Sequence, residues 1–196
     1  MISIVFPDRS IKKFEKGTKV IDVAKSISEG LARKVISASF NKEAYEIESE
    51  LHFDGNIKFH TWEDDEGKQA FWHSSAHILA QTIKFFYPKC KLTIGPSIEN
   101  GFYYDVDFGE DAISEKDFKK IEEKFLEFAR LDSQFEMKSI SKNDALDFYK
   151  KENNQYKIEL IDGLDDGTIT FCDHSDFSDL CKGGHIPSTG IVKAVK

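Results

Sequence analysis

Paired cysteine is what this sequence most clearly lacks. It has only Cys90, Cys172 and Cys181 in 196 residues, and an odd number spread so widely is no disulfide framework. A reducing, cytoplasmic setting is therefore expected. No run approaches the roughly 20 apolar residues that span a bilayer, and mean hydropathy is -0.44, so a soluble protein with no membrane partner is expected. The opening MISIVFPDRS has no basic segment leading into a long apolar run, so no secretory signal is read there. Positive charge is in deficit: 27 Lys and Arg against 35 Asp and Glu leave a net charge of -8. That excludes a protein that coats nucleic acid through clustered cations, but not a pocket that reads one nucleic-acid end. Repeats, low-complexity tracts and a Gly-rich nucleotide loop are also missing.

What is present is ample material for a core, 40% hydrophobic and 13% aromatic with seventeen Phe. Residues 2–6 and 10–14 read as a hairpin turned by PDRS. Gly17-Thr18 is expected to open a short helix, capped by Thr18 and ended by Gly30. KVISASF, EAYEI and NIKFHTW read as strands. That order fits a small β-grasp, ubiquitin-like domain over 1–62. The acidic stretch EDDEGKQA reads as a boundary, followed by a second, larger α+β domain over 63–196 with an antiparallel sheet. A helix is expected from Trp72 to Phe86, with Trp72, Ala76, Leu79, Ile83 and Phe86 as its apolar stripe. KLTIG reads as a strand, and SIENGFYYDVDF as a hairpin on Asn100-Gly101. Ser114-x-x-Asp117 is expected to cap a long helix, and 141–149 to form a shorter one. YKIELI, TITFC and the terminal IVKAV read as strands. The stop at Lys196, within such a strand, reads as a fragment.

FWHSSAHILAQ places His73 and His77 four residues apart on the long helix. With Ala80 and Lys84 they form a stripe beside the apolar one, at the rim of the core. One such pair on a helix flank is more often structural. A second half-set, Cys181-x-x-x-His185, lies in the Gly-rich segment DLCKGGH, which reads as a loop. Together the four side chains match the donor types of tetrahedral zinc.

WHSSAHILAQTIKFFYP, TIGPSIENGFYYDVDF and DFSDLCKGGHIPSTG resemble three signature blocks of the second domain of bacterial-type threonyl-tRNA synthetases. The first ~60 residues resemble the TGS domain that precedes it. Where that family usually has Arg-Gly-Pro, this chain has Lys182-Gly183-Gly184, which keeps the charge and loosens the loop. The resemblance implies an editing domain that hydrolyses serine wrongly esterified to tRNA(Thr). It implies a site of His73, His77, Lys157, Asp179, Cys181 and His185, with Gly95 and Tyr104 forming the wall and binding the terminal adenosine. His73 and Lys157 would handle water and the leaving group, His77 and His185 would orient substrate, and Asp179 would bind the serine ammonium or hydroxyl. It implies that zinc, though suited to His73, His77, Cys181 and His185, is not obligate. The acceptor end of serine-charged tRNA(Thr) and the remainder of the synthetase chain are the implied partners. An ATP- and Mg-dependent ligase core would lie beyond residue 196, in a homodimeric whole.

Two other readings stay open. One is a zinc-stabilised tRNA- or RNA-binding module without turnover, and the other is a freestanding trans-editing factor. A structural reading also competes for single residues: Lys157 as a solvated strand residue, Asp179 as a turn cap, Tyr104 as packing. Cys90 and Cys172 read as ordinary small apolar or strand residues, and His52, His60 and His174 carry no assigned role.

Overall fold

The computed structural model describes residues 1–196. The chain divides into two compact units, residues 1–71 with 183–187, and residues 72–182 with 188–196.

The first unit is built on seven paired strands and two helices. In chain order they are β1 (Ile2–Val5), β2 (Ile11–Phe14), then a short β3 (Thr18–Lys19), helices α1 (Val20–Ile27) and α2 (Glu29–Ala32), β4 (Ser37–Phe40), β5 (Glu43–Tyr45), a short β6 (Glu50–Leu51) and β7 (Gly55–His60). The main sheet runs β2-β1-β7-β4-β5. β1 and β7 are parallel and the other neighbours antiparallel. Val20, Val23 and Ala24 of α1 join Ile2, Ile4, Leu51 and Ile57 in one core. This is the expected β-grasp.

Its helix ends differ from the sequence reading. Thr18 is not a cap; its hydroxyl donates to the Glu15 carbonyl and the residue pairs with Leu51. The first helical donors, Val20 N–H and Ile21 N–H, go instead to the Ser49 and Ile47 carbonyls. Gly30 does not end α1. It lies inside α2, which Ser28 caps by accepting from Leu31 N–H.

The acidic stretch read as a boundary is the first turns of α3 (Asp65–Phe86), 22 residues long. Asp65 and Glu66 sit where the helix dipole favours negative charge. Gly67 is required there, because a Cβ would lie 2.0 Å from the Thr61 carbonyl oxygen.

The second unit continues with β8 (Lys91–Leu92), β9 (Ser97–Ile98), β10 (Gly101–Phe102), β11 (Val106–Asp107), α4 (Glu115–Arg130), β12 (Glu136–Ser139), α5 (Lys142–Lys151), α6 (Gln155–Asp162), β13 (Thr170–His174), β14 (Phe177–Leu180) and a 3-10 turn (Thr189–Ile191). β12, β13 and β14 form an antiparallel sheet, and β9–β10 is the expected hairpin. Asp117 accepts from the N–H and hydroxyl of Ser114 at the start of α4. The terminal segment is not a strand: Thr189 bonds through its N–H to the Ser133 carbonyl and through its hydroxyl to the Ala129 carbonyl. No helix is long and apolar enough to cross a membrane.

YKIELI is likewise not a strand but the body of α6. Its alternation of apolar and polar residues imitates period two, yet Lys157 and Ile161, one helical turn apart, are the buried pair. Asn154 decides the matter. Its side-chain oxygen accepts from Lys157 N–H, and its amide donates to the Leu92 carbonyl at 2.8 Å. Asn154→Ala removes the cap and strands a buried carbonyl, with an expected loss of about 1–3 kcal/mol in urea unfolding. Asn154→Asp keeps the cap acceptor but sets a buried carboxylate oxygen against the Leu92 carbonyl, so it should lose at least as much.

Candidate functional site

In the second unit, α3, α6 and the β14 end converge on a pocket of about 800 Å³. Its lining includes His73, His77, Gly95, Tyr104, Lys157, Asp179 and Cys181. Volumes of ~300–1,000 Å³ are usual for small-molecule sites.

α3 brings two imidazoles to this pocket. Their Nε2 atoms are 3.3 Å apart and their ring centroids 5.0 Å. His73 is partly exposed, but His77 is only 3% exposed. The expected rim position therefore holds for His73, whereas His77 is inside, since residues 74–83 are buried on nearly every face. Cys181 Sγ stands 3.4 Å from His73 Nε2. Cys181 is fixed by Thr170: its N–H donates to the Thr170 carbonyl, and the Thr170 hydroxyl donates back to the Cys181 carbonyl. The ligand atoms of His73, His77 and Cys181 lie within 4.8 Å of one another, a His/Cys cluster that can hold a metal ion.

Beside it is a buried ion pair. Lys157 Nζ lies 2.7 Å from Asp179 Oδ1, both side chains being under 5% exposed. Asp179 is not a turn cap. It lies on β14, opposite Cys172, in a β13–β14 hairpin that the sequence reading did not assign. Tyr149 OH donates to Oδ1 at 2.9 Å and accepts from Leu180 N–H, which also reaches Oδ1. Tyr104 OH donates to Oδ2 at 2.5 Å and accepts from Lys157 Nζ at 3.4 Å. Burial pushes the Asp179 carboxyl up, but Lys157, then His77 and the hydrogen bonds from Lys157 and Tyr104, together hold it below its ordinary value. Both tyrosines move the other way, well above the usual phenol value, through burial and then the Asp179 charge. They are donors here, not phenolates. Gly95 lets Tyr104 close on the pocket wall: a Cβ would stand 2.3 Å from its ring.

His185 belongs to segment 183–187, which groups with the first unit. Its Nδ1 is 3.0 Å from Glu46 Oε1. Among the histidines without an assigned role, His174 has its ring centroid 6.1 Å from that of His77. His60 bonds Ser39, and His52 faces Glu50. Cys90 and Cys172 are buried, Cys172 on β13, and burial raises the Cys90 thiol to about 11.

The sequence reading missed Tyr149, Asn154 and Glu46. Only Asn154 left a local signal, an Asn directly before the segment that proves to be α6. Breaking one side of a buried pair leaves an uncompensated charge, at a cost of about 3–5 kcal/mol. Lys157→Met should therefore destabilise the second unit more than the double variant Lys157→Met/Asp179→Asn, as read by chemical denaturation.

The TGS domain family matches residues 2–61. Over all of its residues the chain is 59% identical to the threonine–tRNA ligase of Flavobacterium psychrophilum and 58% identical to that of Flavobacterium johnsoniae. It is 48% identical to that of Clostridioides difficile. It spans about 30% of the length of these relatives. With a TGS β-grasp unit at its start and matches of this identity along its whole length, the chain belongs with the N-terminal region of the bacterial threonyl-tRNA synthetase family.

Proposed function

We propose that residues 63–196 are an editing domain that hydrolyses the ester of serine mischarged onto tRNA(Thr). The observation that carries this reading is the His73–His77–Cys181 cluster beside the buried Lys157–Asp179 pair in one pocket. The need for such a site is physical. A synthetic pocket for threonine cannot strongly reject serine, because one methyl is worth only ~1–3 kcal/mol, or roughly 10–200-fold. A second pocket that admits serine and is too tight for the methyl supplies the remainder.

Ester hydrolysis takes a water, a base for its proton, donors for the developing oxyanion and an acid for the ribose oxygen that leaves. His73 has the reach for the base, its Nε2 being the atom common to the His77 and Cys181 contacts. Lys157 supplies positive charge and a proton donor. Asp179 Oδ1 already accepts from Lys157, Tyr149 and Leu180, whereas Oδ2 accepts from Tyr104 alone. Oδ2 therefore takes the substrate ammonium or hydroxyl. Tyr104, Gly95 and Cys181 form the wall. His77 orients substrate, and His185, four residues beyond Cys181, does the same.

Zinc would suit the donor set and would act as a Lewis acid on the ester carbonyl or on water. The reading here needs none. The same proposal takes the acceptor end of tRNA(Thr) and the rest of a synthetase chain as partners, in a homodimeric, cytoplasmic whole, and assigns ATP-dependent ligation to the part of the relatives this chain does not span.

Single-turnover deacylation tests the reading. The wild-type chain should clear Ser-tRNA(Thr) and spare Thr-tRNA(Thr), and chelator dialysis should leave the rate unchanged. His73→Ala should slow it by about 100–10,000-fold, the usual contribution of a positioned base. Tight binding of tRNA(Thr) with no release of serine would favour the binding-module reading.

A further inference from the structure

Glu46 takes no part in the chemistry set out above, yet it is only 9% exposed and its carboxylate is surrounded by donors. Gly184 N–H donates to Oε1 at 2.9 Å, and His185 N–H donates to Oε2 at 3.0 Å. His185 Nδ1 lies 3.0 Å from Oε1. Gly183 and Gly184 have φ of 93° and 89°, a region glycine enters without the Cβ penalty. That path turns two successive N–H groups onto one side chain. Gly184 also passes Ala44, two residues before Glu46, so closely that a Cβ would stand 3.2 Å from the alanine methyl.

A carboxylate only accepts, so the hydrogen between Glu46 and His185 sits on Nδ1. We propose that Glu46 of the β-grasp unit is a positioning residue: it holds His185 as the Nδ1–H tautomer and presents Nε2 as the acceptor nitrogen. A carboxylate on the far nitrogen of a working imidazole fixes its ring and raises its basicity.

The inference has one arm that rests on the hydrolytic reading and one that does not. In the 196-residue chain labelled with 15N-histidine, His185 should show a protonated Nδ1 and a bare Nε2. Glu46→Ala should let both tautomers appear. A wild-type Nε2–H ring, or a tautomer unchanged in Glu46→Ala, overturns the proposal whether or not the chain hydrolyses anything. In single-turnover kinetics Glu46→Gln keeps an acceptor for Nδ1–H but sets its amide against a backbone N–H. It should lower the maximal rate by about 10–100-fold while leaving half-saturation by Ser-tRNA(Thr) little changed. Glu46→Asp, with the charge restored on a shorter arm, should recover part of that loss. A wild-type rate in Glu46→Gln overturns the positioning role. A wild-type chain that leaves Ser-tRNA(Thr) intact defeats the hydrolytic reading instead, and the tautomer then decides this one alone.

Discussion

The second unit turns on one buried charge. Asp179 takes a carboxylate to a place where water does not compensate it, and an isolated ion there would cost several kcal/mol. The surrounding structure supplies the compensation. α6 brings Lys157, the β10–β11 region brings Tyr104, α5 brings Tyr149, and β14 brings the Leu180 N–H. None of these can shift without leaving a lone pair or a proton unmatched. The same set of contacts therefore fixes the pocket wall, the orientation of Lys157 and the exit of the chain from β14 toward Cys181. A buried pair of this kind is weak support for stability but strong support for one particular arrangement of its neighbours. That is what the proposed discrimination of a single methyl group would require.

How much of this could be read from the sequence depended on how far along the chain each partner lies. The β9–β10 hairpin, the Ser114–Asp117 cap and the α3 histidine pair are local, and all three were legible. The identity of the pocket residues came with the resemblance, yet their setting did not. Lys157 was placed on a strand because alternation over six residues imitates period two, and the helix shows only when Asn154 is given weight as a cap. Tyr149 meets Asp179 across 30 residues, and Glu46 meets His185 across 139. No spacing rule reaches so far. The acidic stretch at the start of α3 was legible as charge but not as helix: Asp65 and Glu66, read there as part of a boundary segment, serve the first turn of α3.

The Gly183-Gly184 step shows how a loop without the proline expected from the resemblance can be restrained. Proline at the second position would hold φ near -65° and would lack an N–H. Glycine there takes φ of 89° and donates to Glu46. The loosening expected from losing a proline is thus offset by a bond that proline could not make. Two backbone donors and one side-chain donor on a single carboxylate restrain the loop in a different way.

Proton counting constrains what the histidine cluster can be. Two Nε2 atoms 3.3 Å apart cannot both carry hydrogen pointed at each other, nor can both present lone pairs without repulsion. One must donate and the other accept. Cys181 Sγ, 3.4 Å from the same His73 nitrogen, competes for the shared position. If His73 Nε2 is bare, it accepts from His77 or from the thiol. If it is protonated, a bare His77 nitrogen and the sulfur compete for one hydrogen. In either case a single proton, a metal ion or a water that both gives and takes hydrogen relieves the conflict. On the proposed hydrolytic reading a water is the occupant consumed and replaced at each turnover, so the crowding that gives the cluster the donor types of a zinc site also suits it to activating water.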